Sequence, residues 1–542
     1  SDAAGILVDH GAQVGGQIIN YDTVGAFARA HSYNTSDSAQ ALAVGIATRY
    51  DENPDILNNG DVSASAFATA YNSAYATALG IGEETASQFA SADVYNDGAV
   101  NVLASAHSID GGTDLYSTAL TLAAGDVQVA FGSTASASLT NTSNGSLSVV
   151  AEAYATGVNN QTAYAVALGA GQMVIAGGEA SAVIDNHGTI DAQALAYATT
   201  TNGSAGAEAG ALAVGAGQIV IGTTATATLT NDAGGVINAH AIASAYDAGN
   251  ASATAIAGGV GALQAAIGIG GDATVTMQND GVIDVAAAAY ATSNSGNAFA
   301  AVPLYFGQDA PGVGIGLGSL AAGVVQVAVN YGEGDAFASL DNTDTIHVSS
   351  YARAQADDEG SDAVANAEAA GVAQIAATIY GENATVDLTN TAMESIDVHS
   401  TAEAFGWAAY ADGYGFGAAQ IAVAYSTDGS ASASIVNTGR ISADISGFAS
   451  GIYEAYAEAN AAGAEQLVIG GAVADAYIDN TGVIEATAKA TADSYIEEAS
   501  ANAQAQGALQ YAITGGFYGP GYTADATMIN DNSISADATA NA

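Results

Sequence analysis

Cysteine is absent from the 542 residues, and lysine and arginine together number five. Without cysteine there is no disulfide framework, no thiolate nucleophile and no thiolate metal site, and the redox compartment stays open. The five cations face 55 Asp and Glu, a net charge of −50. Nucleic acid and anionic membrane surfaces would repel such a chain, and self-repulsion favours solubility. The acids are thinly spread, which reads as a solvated surface rather than an interaction tail. No run of about 18 apolar residues lacks a Gly or polar interruption, so no membrane-spanning helix is expected. The opening SDAAGILVDH has no basic segment, so no signal peptide is visible.

The same scarcities bear on catalysis. Polysaccharide enzymes built on a β-helix need clustered Asp with a base, or paired carboxylates in a cleft. Here Arg29, Arg49, Arg353, Arg440 and Lys489 fall singly along the chain. His10, His31, His107, His187, His240, His347 and His399 lack metal-ligand spacing, and no H-E-x-x-H occurs. Gly-rich stretches such as GGVGALQ lack the Lys-Ser/Thr of a phosphate loop, and no G-x-S-x-G elbow has credible partners. The chain reads as not an enzyme.

What is present is repetition. Residues 180–192, ASAVIDNHGTIDA, carry the skeleton apolar-x-Asn-x-Gly-x-apolar in Ile184, Asn186, Gly188 and Ile190. The skeleton returns around Asn96, Asn437 and Asn480. With small changes it also fits Asn20, Asn58, Asn141, Asn231, Asn279, Asn342, Asn390 and Asn530. Subtracting neighbouring positions gives intervals of 38, 38, 45, 45, 45, 48, 63, 48, 47, 43 and 50. A fixed period of this size marks a repeat architecture in which each unit buries its apolar face on its neighbours. A Gln column runs in step: Gln128, Gln172, Gln218, Gln264, Gln326, Gln374, Gln420, Gln466 and Gln510. A third column is aromatic or His: His31, Tyr71, His107, Tyr154, Tyr197, Tyr246, Tyr290, Tyr351, Phe405, Phe448 and Tyr495.

Alternation such as ATATLTN (225–231), punctuated by Asn, Asp and Gly, marks strands and turns. The density of glycine, 66 residues, and the lack of i, i+3, i+4 apolar spacing argue against Ala-rich helices. The expected fold is all-β, a parallel β-solenoid of about twelve imperfect repeats of roughly 46 residues with Asn, Gln and aromatic ladders. Residues 1–60 are its irregular start and 61–542 its repeats. The Gln half of a repeat weakly resembles the Asn half, which favours two unequal coils per repeat over one broad coil.

Four prolines mark departures, since proline has no N–H to give a ladder. Pro303 and Pro311, with Tyr305 and Phe306, lie in an apolar excursion at 301–323 that is a candidate partner loop; Pro54 and Pro520 sit in other irregular stretches. The Asn column is expected at inward turns, its amides bonded along the stack. One acidic turn, DDEGSD, offers Asp357, Asp358, Glu359 and Asp362 as hard oxygen ligands for calcium, set against the plainer reading of a solvated turn.

The recurring I-x-N-x-G-x-I phrase, followed by an alternating Ala/Ser/Tyr strand, resembles the β-solenoid passengers of bacterial surface proteins. Autotransporter and filamentous-haemagglutinin-like adhesins write N-x-G-x-I in each coil. The resemblance implies secretion to the cell surface and roles in adhesion, matrix or fibre building. Three functions follow in order: an extracellular structural protein that stacks head to tail on itself; a surface adhesin with a solenoid stalk and a loop for glycans or cells; and, last, a carbohydrate-active β-helix enzyme.

Overall fold

The computed structural model describes residues 1–542 apart from 9–16, 33–37, 50–54, 110–116, 202–205, 250, 303–320, 392–394 and 515–522. Period-two alternation decides the local structure. In Glu179–Asn186 the side chains of Ala180, Ala182, Ile184 and Asn186 are buried, while those between them face outward. One coil consists of a long strand, Gln161–Ala176, a short strand, Glu179–Asn186, and a return strand, Thr189–Thr200. Each lies parallel on its counterpart one coil later: Ala207–Gly222, Thr224–Asn231 and Val236–Asp247. The short strands form a 12-stranded sheet, every strand ending on an Asn of the column from Asn20 to Asn530. Long and return strands share a 23-stranded sheet, because at Ser395–Ala424 and Arg440–Gly470 one runs into the other without a break. The fold is an all-β parallel β-solenoid.

The expectation of two coils per repeat is overturned. Asn141 and Asn186 are direct partners in the ladder, so 45 residues advance the chain by a single strand. Each repeat is one broad coil. Within the stretch 1–60, irregular in sequence, the described strands already keep the solenoid register: Asp2–Val8 lies on Ser38–Arg49, and Thr23–Ser32 on Asp61–Ala70. The excursion is narrower than 301–323, since Ala298–Val302 and Ala321–Asn330 are strands in register with Ala253–Gly268. Pro303, Tyr305, Phe306 and Pro311 lie outside the described residues.

A glycine corner shapes the coil. Along the long strand the buried positions change phase at Gly169 and Ala170, the behaviour of a strand turning at glycine. Before the corner the long strand packs on the return strand, Ala163, Ala165 and Ala167 meeting Ala192, Ala194 and Ala196. Beyond it, Val174 and Ala176 pack on Ala180 and Ala182 of the short strand as a second lobe. The lobes are thin, which is why alanine fills most inward positions. Larger side chains flank the Asn, where Ile184 and Ile190 are fully buried, and Ile190 fits beneath Gly169 because that residue has no Cβ.

Candidate functional site

Two amide ladders run through the interior. Nδ2 of Asn186 donates to Oδ1 of Asn231 at 2.7 Å, and its Oδ1 accepts from Nδ2 of Asn141 at 2.8 Å. The series continues from Asn20 and Asn58 through Asn96, Asn279, Asn342, Asn390, Asn437 and Asn480 to Asn530, each donating to the next. The Gln ladder runs the other way. Gln218 donates to Gln172, Gln264 to Gln218 and Gln326 to Gln264, all at 2.9 Å, and the pattern persists to Gln510. Each of these Nε2 atoms also reaches a carbonyl of the short strand, as Gln172 reaches Val183 at 2.8 Å, so the ladder staples the second lobe shut. A carboxamide is donor and acceptor at once, so it can repeat at strand spacing without limit.

The aromatic column is less regular. His107, Tyr154 and Tyr197 stack, with centroids 4.6 and 5.2 Å apart. Tyr246, Tyr351 and Phe405 sit instead opposite Thr199, Ala288 and Gln355, two residues off that column. These rings face outward, where such an offset leaves no buried group unpaired.

The outermost strands of the described stack each have one neighbour. Thr523–Asn530 and Ser533–Asn541 are each paired on one side, and Met528 and Ile529 are exposed there. Asn530 turns its Nδ2 to the Asn532 carbonyl at 3.2 Å. At the opposite edge Oδ1 of Asn20 accepts from the Asp22 N–H at 3.2 Å, beside exposed Ile19, Tyr21 and Phe27. One edge therefore ends the Asn ladder with a donor and the other with an acceptor. Unpaired strand edges are templates for another chain.

The outer faces differ in chemistry. Arg29, Arg353, Arg440 and Lys489, four of the five Lys and Arg, lie on return strands with His31, His107, His240, His347 and His399. Sequence spacing hides this gathering, because the repeats differ in length. Arg440 bridges Asp397 at 2.9 Å and Glu485 at 3.1 Å, tying three coils together. His240 meets Asp284 at 3.4 Å. The hydrogen bond to Asp284 raises the His240 pKa above its ordinary 6.5 against the effect of burial, and it lowers Asp284 below 3.8. The His240 share of stability is full below pH 6.5 and lost as pH rises through its raised value. The Asp284 share is present above pH 3.8 and lost as pH falls through its lowered value. The tie thus acts between those limits, and its surface exposure keeps it to at most about 1 kcal/mol. In Asp284→Asn, an NMR titration of His240 is expected to move its midpoint down toward the ordinary value; an unchanged midpoint would refute the pairing.

The long-strand face carries acids and aromatics. Tyr410 and Tyr456 stack at 5.3 Å beside a shallow groove of about 240 Å³ that Asn366, Asp412, Glu458 and Asn502 help to line. Burial, then the Asp412 charge, pushes nearby Glu368 up to about 8; burial, then Glu458, raises Asp412. A second groove, of about 390 Å³, spans the corner between Tyr414, Phe416, Ile421, Leu467 and Tyr511.

The acidic turn offered as a calcium site, against the plainer reading of a solvated turn, brings no three of its carboxylates together. Asp357, Asp358, Glu359 and Asp362 are exposed; the Asp358 carboxylate accepts from the Glu359 N–H, and Gly360 takes φ +85°. Among the described residues the one group of three close ligand-type side chains is Asp185, His187 and Asp232. There each ring nitrogen is engaged by its own carboxylate, Nε2 by Asp185 at 3.1 Å and Nδ1 by Asp232 at 2.5 Å, so the trio reads as an inter-coil tie. Among the described residues no helix is long and apolar enough to cross a membrane. No family model, curated protein or solved structure matches the chain.

Proposed function

We propose that this is an extracellular or cell-surface structural protein whose coils continue from one copy to the next, head to tail, as a filament. The observation that carries the reading is the one-way polarity of the Asn ladder, in which each amide donates to the next coil on parallel strands of one register, so that a donor of one copy meets an acceptor of another. Isologous pairing of two like edges would set donor against donor; a heterologous contact of this kind does not close, and it propagates. Electron microscopy of the purified protein at several concentrations, with and without millimolar calcium, tests it. Filaments with a subunit repeat of roughly 58 Å, twelve strands at about 4.8 Å, are expected. Single rods at every concentration would sink the proposal.

A surface adhesin is the second reading, favoured by the grooved aromatic and acidic face around Tyr410 and Tyr456. Because Val302 and Ala321 belong to strands, deletion of 303–320 tests the partner loop without removing ladder residues. Lost glycan or cell binding with assembly intact would support the adhesin; unchanged binding would remove the loop from it.

A further inference from the structure

The Gln ladder stops at a specific place. Register carries its column from Gln128 to Glu83 and then to Thr48. Gln172 donates to Gln128, but Gln128 gives its own Nε2 to the carbonyls of Ala92 at 3.0 Å and Ser138 at 2.7 Å, leaving Glu83 aside. Two residues before Gln128 on the same inward face stands Asp126, where the following coils have Ala170 and Ala216. Glu83 is 2% exposed and Asp126 0%, and none of their four carboxyl oxygens has a hydrogen-bond partner. The Asp93 amide faces Glu83 without reaching hydrogen-bond geometry. Independently of the acids, the Thr48 hydroxyl, 3% exposed and directly beside Glu83 in the ladder, also lacks a partner. The charges acting on Glu83 are Asp126, Asp93 and Asp55, all negative.

Five unpaired oxygens in an alanine interior require an explanation, because a buried polar group without a partner is costly and a buried charge far more so. We propose that Glu83 and Asp126 bind one hard divalent cation, of which calcium fits best, inside the solenoid where the Gln ladder ends, with the unpaired Thr48 hydroxyl one coil beyond Glu83 open to the ion's water shell. The donor set is all oxygen, and two carboxylates balance a charge of +2. Calcium accepts hydroxyl, backbone carbonyl and water oxygens to fill its shell. Glutamate in place of the ladder glutamine makes the same point. A glutamine there would donate to its neighbours, whereas an ionised carboxylate has only acceptors to offer and needs a positive centre.

The competing state is a pair of neutral acids. Burial, reinforced by Asp126, pushes Glu83 up to about 10, and burial raises Asp126 as well. In that state the Glu83 contribution is full below its ordinary 4.5 and is lost as pH rises toward about 10. A bound cation reverses this and holds both groups ionised, so binding at neutral pH must expel up to two protons to solvent.

Calorimetric titration of the full chain with calcium chloride, in buffers of different ionisation enthalpy and at matched ionic strength, reads ion and proton together. The wild type is expected to bind one ion tightly above the diffuse surface background, with proton release and a rise in Tm. Glu83→Gln and Asp126→Ala should each lose that ion, its protons and the rise. Without calcium, at pH 8 with chelator, Glu83→Gln should melt higher than wild type by lengthening the Gln ladder, which separates a lost site from a lost fold. Equal calcium uptake and proton release in wild type and variants would overturn the proposal. So would a wild type whose stability falls toward alkaline pH identically with and without calcium, the behaviour of neutral acids.

Discussion

Asn186→Ala is expected to destabilise the coils around it by about 2–4 kcal/mol, while Asn530→Ala changes stability by less than about 0.5 kcal/mol. The difference comes from what each substitution strands. Removing the Asn186 amide leaves Oδ1 of Asn231 without its donor at a fully buried position, and leaves Asn141 with only its longer bond to the Thr189 carbonyl at 3.3 Å. It also removes the bond from Nδ2 to the Gly188 carbonyl that closes the turn. A buried acceptor left unsatisfied costs about 1–3 kcal/mol, and the loosened turn adds to it. Asn530 is exposed and bonded on one side, so water replaces what is lost. Asn186→Asp is expected to be worse than alanine, since it sets a carboxylate against Oδ1 of Asn231. Because a solenoid can open coil by coil, a readout local to the altered coils resolves this effect more directly than a global midpoint. Hydrogen exchange across 179–236 is the suitable one, and uniform protection in Asn186→Ala would show the ladder to be dispensable.

Gly215→Ala is expected to cost about 3 kcal/mol or more, although adding a methyl group ordinarily stabilises a chain by reducing its freedom when unfolded. A Cβ at Gly215 would lie 2.6 Å from the Gly261 carbonyl oxygen and would run into Cγ2 of Ile237. Neither can retreat: one is backbone of the adjoining coil, and the other is a buried side chain of the same turn. The gain from reduced freedom, about 0.4–1 kcal/mol, is too small to offset the clash. Gly177→Ala supplies the contrast, because nothing lies within 4 Å of a Cβ there. It is expected to be neutral or slightly stabilising. Denaturant midpoints of the two variants should therefore move in opposite directions or differ widely; equal midpoints would mean the corner relaxes freely.

The Asn and Gln columns are legible in the sequence because a buried amide must recur at one phase of every coil, and insertions are confined to the turns between. The number of coils per repeat is not legible. Both halves of a repeat use one local recipe, alternating alanine around an amide, so AVALGAGQMVI and ASAVIDNHGTI look alike while lying side by side within a single coil. The corner glycines are hidden for a different reason. Gly169, Gly215 and Gly261 form a column, yet turns and corners elsewhere use the same residue, and only packing against Ile190, Ile237 and Ile283 distinguishes them. The cations and the Asp185, His187 and Asp232 trio need the register, since Arg49 meets Glu84, Arg353 meets Glu403, Arg440 meets Asp397 and His187 meets Asp232 across neighbouring coils, at separations of 35, 50, 43 and 45 residues. Sequence proximity alone does not gather ligands: Asp357, Asp358, Glu359 and Asp362 share one turn, yet each is exposed and no three of them come together.

The broad single coil has a consequence for the ions around the protein. With one coil per strand spacing, a net charge of −50 is compressed into roughly 58 Å of axis, about one charge per 1.2 Å. That linear density exceeds the one charge per roughly 1.7 Å of duplex DNA, which is high enough to condense counterions onto the polymer. The rod therefore carries a mantle of sodium, potassium or magnesium as a fixed companion. Joining rods at their ends leaves charge per length, and so the mantle, unchanged. Laying them side by side merges two mantles and confines their ions. For the proposed filament, the same ionic sheath would permit growth along the axis and oppose contact across it, favouring single threads over bundles until multivalent cations replace it.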